Sequence, residues 1–269
     1  MIARAAQNST ANDSPGAIRI GTAGWGLPRQ WRDRFPPEGS YLERYAARFS
    51  AVEINSSFYR QHKRAVYERW AAAVPAHFRF AVKLPRAITH DQGLVAADVL
   101  LDVFLEEVAG LGTRLGPLLV QLPPSLAFDG AHADEFFQTL RGMHSGAVAC
   151  EPRHESWFSA SADLLMRLHR VARVAADPAR VPAAAEPGGD PSLEYFRLHG
   201  SPRMYYSDYE PERLTDYARR IGFGNAAAER WCIFDNTTLG AATGNALALS
   251  ELVGTKQLDA PVVSPAITI

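Results

Sequence analysis

From Ile18 onward the chain alternates short β-type apolar runs with longer stretches of helical spacing. The β-type runs are IRIGTAG from Ile18, AVEINSSF from Ala51, RFAVKLP from Arg79 and PLLVQLPP from Pro117. They continue with GAVACEPR from Gly146, VARVAAD from Val171, LEYFRLHG from Leu193 and RWCIFDN from Arg230. Between most of them lie stretches such as SYLERYAARF, AVYERWAAAV and VLLDVFLEEVAGL. In the last of these, Leu101, Phe104, Leu105 and Val108 recur on one helix face. Strands alternating with helices predict parallel pairing through right-handed crossovers. Runs of this number predict an α/β fold closed as a (β/α)8 barrel, with a doubly wound open sheet as the alternative. The stretch 178–192, PARVPAAAEPGGDPS, has too much Pro and Gly for a helix, so the sixth crossover is expected to be a loop. Residues 1–17 read as a disordered lead, 18–253 as one domain and 254–269 as a tail.

Polar residues interrupt the strand pattern at particular places. Alternate strand residues face opposite sides, and in a parallel barrel the C-terminal strand ends form the reactive mouth. Val52 and Ile54 take one side of their strand and Glu53 and Asn55 the other. Phe80 and Val82 oppose Ala81 and Lys83; Val148 and Cys150 oppose Glu151 and Arg153; Phe196 and Leu198 oppose Arg197 and His199. Gln121, Asp177 and Asp235 hold similar late positions on the fourth, sixth and eighth strands. Interior charge is costly unless paired, so its recurrence at strand after strand predicts a functional pocket. Trp25, Phe58, Tyr59, Trp157, Tyr205 and Tyr206 all follow strand ends, where an aromatic wall would suit a flat ring or a sugar face. Gly21 and Gly24 flank the turn that precedes Trp25.

Composition narrows the classes without choosing among them. The chain has 269 residues, 47% hydrophobic and 21% charged, which is ordinary for a globular domain. A formal net charge of −1 supplies no global field for nucleic acid or an anionic membrane. Cys150 and Cys232 lie in apolar runs and read as small buried hydrophobes, not as a disulfide framework or a zinc motif. The N-terminus lacks the apolar core of a signal peptide, and no long uninterrupted apolar run occurs, so a cytoplasmic setting is expected. No GxSxG elbow, Walker-type loop or dinucleotide fingerprint is present.

Taken in order, GTAGW (21–25), EINSSFYR (53–60), FAVKLPRAITH (80–90), LGPLLVQLPP (115–124), EPRHESW (151–157), RLHG (197–200) and FDNT (234–237) resemble the DUF72, or YecE-like, family. The resemblance runs from Ile20 to about Leu249. It implies a TIM-type barrel, and the family's activity is not established. Glu53, Asn55, Tyr59, Lys83, His90, Gln121, Glu151, Arg153, His154, Trp157, Arg197 and His199 match the family's motif positions. Gly26-Leu27 replaces the usual aromatic after GxxGW, and FDN stands where FNN is common, so a first-loop Tyr and a last-strand Asn do not carry over.

The residue types support an enzyme acting on a small polar anionic substrate, such as a phosphosugar or nucleotide-like molecule. Its class, among isomerase, lyase and hydrolase, stays open. Lys83, Arg153 and Arg197 would clamp the anion. Glu53 and Glu151 would exchange protons, with His199 or His154 as partner. Trp25, Asn55, Tyr59, His90, Gln121, Trp157 and Tyr206 complete the expected binding surface. No cofactor is expected in this reading. A metal-dependent isomerase or phosphoesterase is the first alternative, with ligands from Glu53, Glu151, Asp177, Asp235 and His199, though no specific ligand spacing supports it. The second is a non-catalytic module binding nucleic acid or a protein partner through Arg60, His62, Lys63 and Arg64 beside Tyr59.

Overall fold

Strands of a parallel sheet bury both faces, one under helices and one against other strands, so the two sides of each strand carry different residues. The computed structural model describes residues 16–259. Residues 1–15 of the expected lead and 260–269 of the expected tail lie outside them. Gly16 and Ala17 depart from that lead, since their carbonyls accept from the Arg230 side chain (2.7 Å) and backbone N–H (2.8 Å).

The strands are β1 (Ile18–Thr22), β2 (Ala51–Ile54), β3 (Arg79–Lys83), β4 (Leu115–Gln121), β5 (Val148–Glu151), β6 (Ala172–Arg173), β7 (Ala175–Asp177), β8 (Gly188–Gly189), β9 (Leu193–Leu198) and β10 (Glu229–Phe234). One sheet runs β1-β10-β9-β7 and the other β2-β3-β4-β5-β6-β8, and every pairing but β6 with β8 is parallel. The sheets meet at two places. Ala23 bridges Glu53 in parallel, reinforced where the Gly24 N–H donates to the Glu53 carbonyl (2.8 Å). On the other side the sixth expected strand is split at Val174: β6 pairs with β5, while β7 pairs with β9. The fold is therefore mixed α/β, with parallel sheets and helices.

The parity read from the sequence is visible in the packing. Val52, Ile54, Phe80, Val82, Val148, Cys150, Phe196 and Leu198 join the core beneath the helices. Ala51, Ala81, Leu119, Ala149, Val174, Tyr195, Trp231 and Ile233 form a second buried cluster on the opposite strand faces. Gly21 lets β1 approach β2, because a Cβ there would sit 2.1 Å from the Ala51 carbonyl oxygen.

Helices α1 (Tyr41–Ala46), α2 (Ser56–Tyr59), α3 (Arg64–Ala72), α4 (Asp98–Val108), α5 (Gly130–Met143), α6 (Ala160–Leu168), α7 (Pro211–Gly222) and α8 (Ala241–Asp259) connect or follow the strands. Ser40 and Glu43 form a capping box on α1, and Asp129 and Ser159 cap α5 and α6. Leu101, Phe104 and Val108 bury the inner face of α4. Between β7 and β9 there is only a 3-10 turn (Pro182–Ala185) and the two-residue β8. Helix α8 continues past the expected boundary at 253. Among the described residues, no helix is long and apolar enough to cross a membrane.

Candidate functional site

Polar side chains on the helix-averted faces converge at the C-terminal strand ends, and Arg197 of β9 stands at their centre. Its Nη2 donates to Glu53 Oε1 (2.7 Å) and Asp235 Oδ2 (3.1 Å), and its Nε donates to Glu53 Oε2 (3.0 Å). Its Nη1 donates to Glu151 Oε2. The Tyr195 hydroxyl, two residues earlier on the same face, donates to Glu53 Oε2 (2.9 Å). Arg197 and Glu53 are both 0% exposed, so these charges survive only because each is paired and hydrogen-bonded.

His199 follows on the same face as Arg197. Its Nε2 lies 3.0 Å from Glu151 Oε1 and its Nδ1 3.1 Å from Asp235 Oδ2. Two carboxylates can both be satisfied only if both ring nitrogens donate. Burial alone would lower the pKa of His199, but the Glu151 charge and both hydrogen bonds outweigh it and hold it above the usual histidine value. Burial likewise acts against ionised Glu151, yet Arg197, Arg153 and His199 keep it well below the carboxylate range; Asp235 is lowered by Arg197 and His199 against the same penalty.

Arg153, just past β5, donates from Nε to Glu151 Oε1 (3.0 Å) and turns its Nη1 and Nη2 toward the Tyr205 hydroxyl (3.4 Å each). Tyr205 adopts a positive φ of 69° and sets its ring edge-on to His199. Lys83, at the end of β3, is buried with its Nζ 4.0 Å from the centroid of the Phe58 ring. The Ser57 hydroxyl on α2 donates to the Lys83 carbonyl (2.6 Å), which ties this corner together. Desolvation, with help from the Arg197 charge, lowers the Lys83 ammonium to about 8 against the pull of Glu53, Glu151 and Asp235. His90 packs edge-on to the same Phe58, and burial and the nearby cations Lys83, Arg86 and Arg153 hold its pKa down.

Glu53, Lys83, Glu151, Arg153, Arg197 and His199 thus come together as the alternation predicts. Gln121 is buried at the end of β4, with Nε2 3.4 Å from the Leu122 carbonyl, and Asn55 is half-buried past β2 with an unpartnered Oδ1. Other candidates have different work. Trp25 packs edge-on to Trp70 and Phe80 under the helices. Trp157 is 1% exposed and donates to the Leu126 carbonyl (3.0 Å). His154 accepts from the Ser156 N–H and caps the turn Glu155–Phe158. Tyr59 is exposed against Phe58, and Tyr206 stacks under Arg203.

Asp177 corrects the expected parity. It pairs in register with Leu198, so it faces the helices and binds Arg213 on α7 (3.3 Å). The basic run beside Tyr59 also divides, because His62 is buried at 2.8 Å from the Ser56 hydroxyl while Arg64 pairs with Glu68 (3.1 Å). Asp91 pairs with Arg86 (3.0 Å), and His90 Nδ1 meets Thr89 Oγ1 (2.9 Å), so these adjacent residues form no relay. Tyr195 is the addition. A tyrosine at an inward parity position, two residues before Arg197, was the available signal for it; Tyr205, expected as one of the strand-end aromatics, meets Arg153 and His199 instead of standing in an open wall. A cleft of about 730 Å³ opens at the opposite strand ends, lined by residues including Arg79, Gly116, His144 and Glu229, and contains none of the expected site residues. Among the described residues, no group of three His, Cys, Asp or Glu side chains is arranged to hold a metal ion.

The chain is similar over 143 residues to YecE of Escherichia coli K12 (32% identity, 53% of this chain and 50% of that protein) and over 153 residues to YunF of Bacillus subtilis (29%, 53% and 52%). It spans about half the length of these curated relatives in the matched regions. Two solved DUF72 family structures share its fold. The protein from Thermotoga maritima aligns with a TM-score of 0.73 at 24% identity, covering 88% of this chain and 99% of that one. The protein from Enterococcus faecalis aligns at 0.72 and 22%, covering 89% and 98%. The family model described as "Protein of unknown function DUF72" matches residues 19–267, and the chain therefore belongs to the DUF72 family.

Proposed function

We propose that this protein is a cytoplasmic enzyme acting on a small polar anion, of the phosphosugar or nucleotide type, at the mouth of an irregular (β/α)8 barrel. The barrel reading rests on the two seams, where Ala23 meets Glu53 and where β6 and β7 succeed one another in different sheets. One observation carries the functional reading: Glu53, Lys83, Glu151, Arg197 and Asp235 come from five strand ends and meet in one buried network. Such concentrated buried charge at strand ends is costly to fold and characteristic of reactive sites.

The charges favour an anion. Glu53, Glu151 and Asp235 are matched by Arg197, Arg153 and Lys83, and His199, with its raised pKa, adds positive charge. Arg153, half-buried and only partly engaged, is the planar donor best placed to take a carboxylate or phosphate. Glu53 and Glu151 are committed to Arg197, so in this reading they position cations, while His199 and Lys83 exchange protons. The metal-dependent alternative is disfavoured for a positive reason. A guanidinium already occupies the point on which three of its proposed ligands, Glu53, Glu151 and Asp235, converge, and Asp177 faces away toward Arg213.

Titration calorimetry with inorganic phosphate at fixed ionic strength tests this reading. Saturable binding, weakened about tenfold or more in Arg153→Gln, is expected, equivalent to about 1.4 kcal/mol for the lost contact. Absence of saturable binding, or equal affinity in the variant, overturns it.

A further inference from the structure

Lys83 differs from the cations around it. Arg197 and Arg153 each hold carboxylates, but among the described residues the Lys83 ammonium has no carboxylate at ion-pair distance, although Glu53, Glu151 and Asp235 all lie within electrostatic reach. Its one close partner is the face of Phe58 at 4.0 Å, and the residue is 7% exposed. The sequence sharpens the contrast. Of 28 lysines and arginines, only Lys63, Lys83 and Lys256 are lysines. An anion clamp is served as well or better by arginine, whereas only lysine can present a neutral amine.

We propose that Lys83 is a nucleophile that condenses with the carbonyl of an anionic substrate, such as a phosphorylated ketose or aldose or a 2-oxo acid, to form an imine. The proposal rests on the anion-binding reading above, which supplies the substrate's charged end. The neutral Nζ adds its lone pair to the carbonyl carbon, and the carbonyl oxygen takes a proton. The nitrogen then loses a proton, and the hydroxyl leaves as water after a second protonation. Amine, carbonyl and one proton become a protonated imine and water, and loss of that proton gives the neutral imine, with no oxidant or reductant consumed.

The neighbours suit these transfers. His199 is held protonated by Glu151 and Asp235, and His90, kept neutral by burial and nearby cations, shares the Phe58 ring with Lys83. An apolar floor and an adjacent guanidinium are the surroundings that make a lysine nucleophilic. Imine formation acidifies the carbon next to the former carbonyl, so it narrows the reaction to an isomerase or a carbon–carbon or carbon–oxygen lyase.

The full-length protein would be incubated with dihydroxyacetone phosphate and cyanoborohydride, then mapped by peptide mass spectrometry. Reduction traps the imine as a stable secondary amine. Labelling at Lys83 should exceed that at Lys63 and Lys256 at least tenfold and be suppressed by inorganic phosphate. It should be absent from Lys83→Arg, which keeps a cation there but presents no neutral amine. Equal labelling of all three lysines, or phosphate binding without a Lys83 adduct, overturns the imine and leaves the anion site standing. Absence of both phosphate binding and adduct removes the two readings together. Should Lys83→Arg fail to fold, the pH profile of trapping in the unmodified protein decides. The groups facing Lys83 are Phe58, Glu53, His90, Glu151, Arg197 and Asp235; with these, half-maximal rate near pH 8 supports the proposal, and a rise only near pH 10.5, as for a solvated lysine, overturns it.

Discussion

Lys83 carries its charge at a folding cost. A cation whose folded pKa falls from 10.5 to about 8 destabilises the native state by roughly 3 kcal/mol at neutral pH. Because the folded value is the lower one, this penalty is fully present below pH 8 and is relieved as pH climbs from 8 to 10.5. Lys83→Met should therefore be more stable than the parent by roughly 2–3 kcal/mol in denaturant unfolding at pH 7, the difference shrinking by pH 10.5. Equal stability at pH 7 would show that the ammonium is better solvated than its burial implies. The same residue shows what single positions disclosed beforehand. Strict alternation placed Glu53, Lys83, Glu151, Arg197 and His199 on one side, since a buried strand leaves each side chain two choices. It could not tell a free cation from a paired one, which depends on groups from several strands. Trp25 and Trp157 misled because loop aromatics and core aromatics look alike in sequence, and the contacts of Tyr205 were not legible because a positive φ aims its ring.

At the level of elements, the strands were legible from their apolar alternation, with β1, β2, β3 and β9 starting at the residues expected. The sixth was not, because VARVAAD reads as one short β-type run and gives no sign of a break at Val174. That break also explains Asp177, which shares its face with Leu198 instead of Arg197. The crossover before β9 has no α-helix, as its Pro and Gly content predicts, and its 3-10 turn and two-residue strand are short structures that Pro and Gly permit but do not specify. The seam between β1 and β2 gives a sharp test. Gly21→Ala would drive a Cβ into the Ala51 carbonyl, which cannot retreat without moving β2, and against the Tyr45 hydroxyl at 3.0 Å. A loss of about 3 kcal/mol or more is expected in urea unfolding, typical of severe core overpacking. A loss under about 0.5 kcal/mol would mean that β1 and β2 are not held in contact there.

For the whole molecule, the network sets how stability responds to acid and base. Glu151 and Asp235 have depressed pKa values, so their contribution is present above the usual carboxylate range and is lost as pH falls through their folded values. His199 has a raised one, so its contribution is full below pH 6.5 and is lost as pH rises through its folded value. Thermal unfolding followed by circular dichroism in a Lys83→Met background should show Tm falling on both sides, the alkaline decline beginning above pH 6.5 and absent from a further His199→Gln variant. A decline unchanged by that variant would assign it elsewhere. Arg197 and His199 belong to one sheet, and Glu53 and Glu151 to the other. These ions are thus also rivets between two sheets joined by few backbone bonds. Anyone swapping those residues to test the proposed chemistry would meet the effect first as a loosened join between the sheets and only afterwards as a change at the site itself.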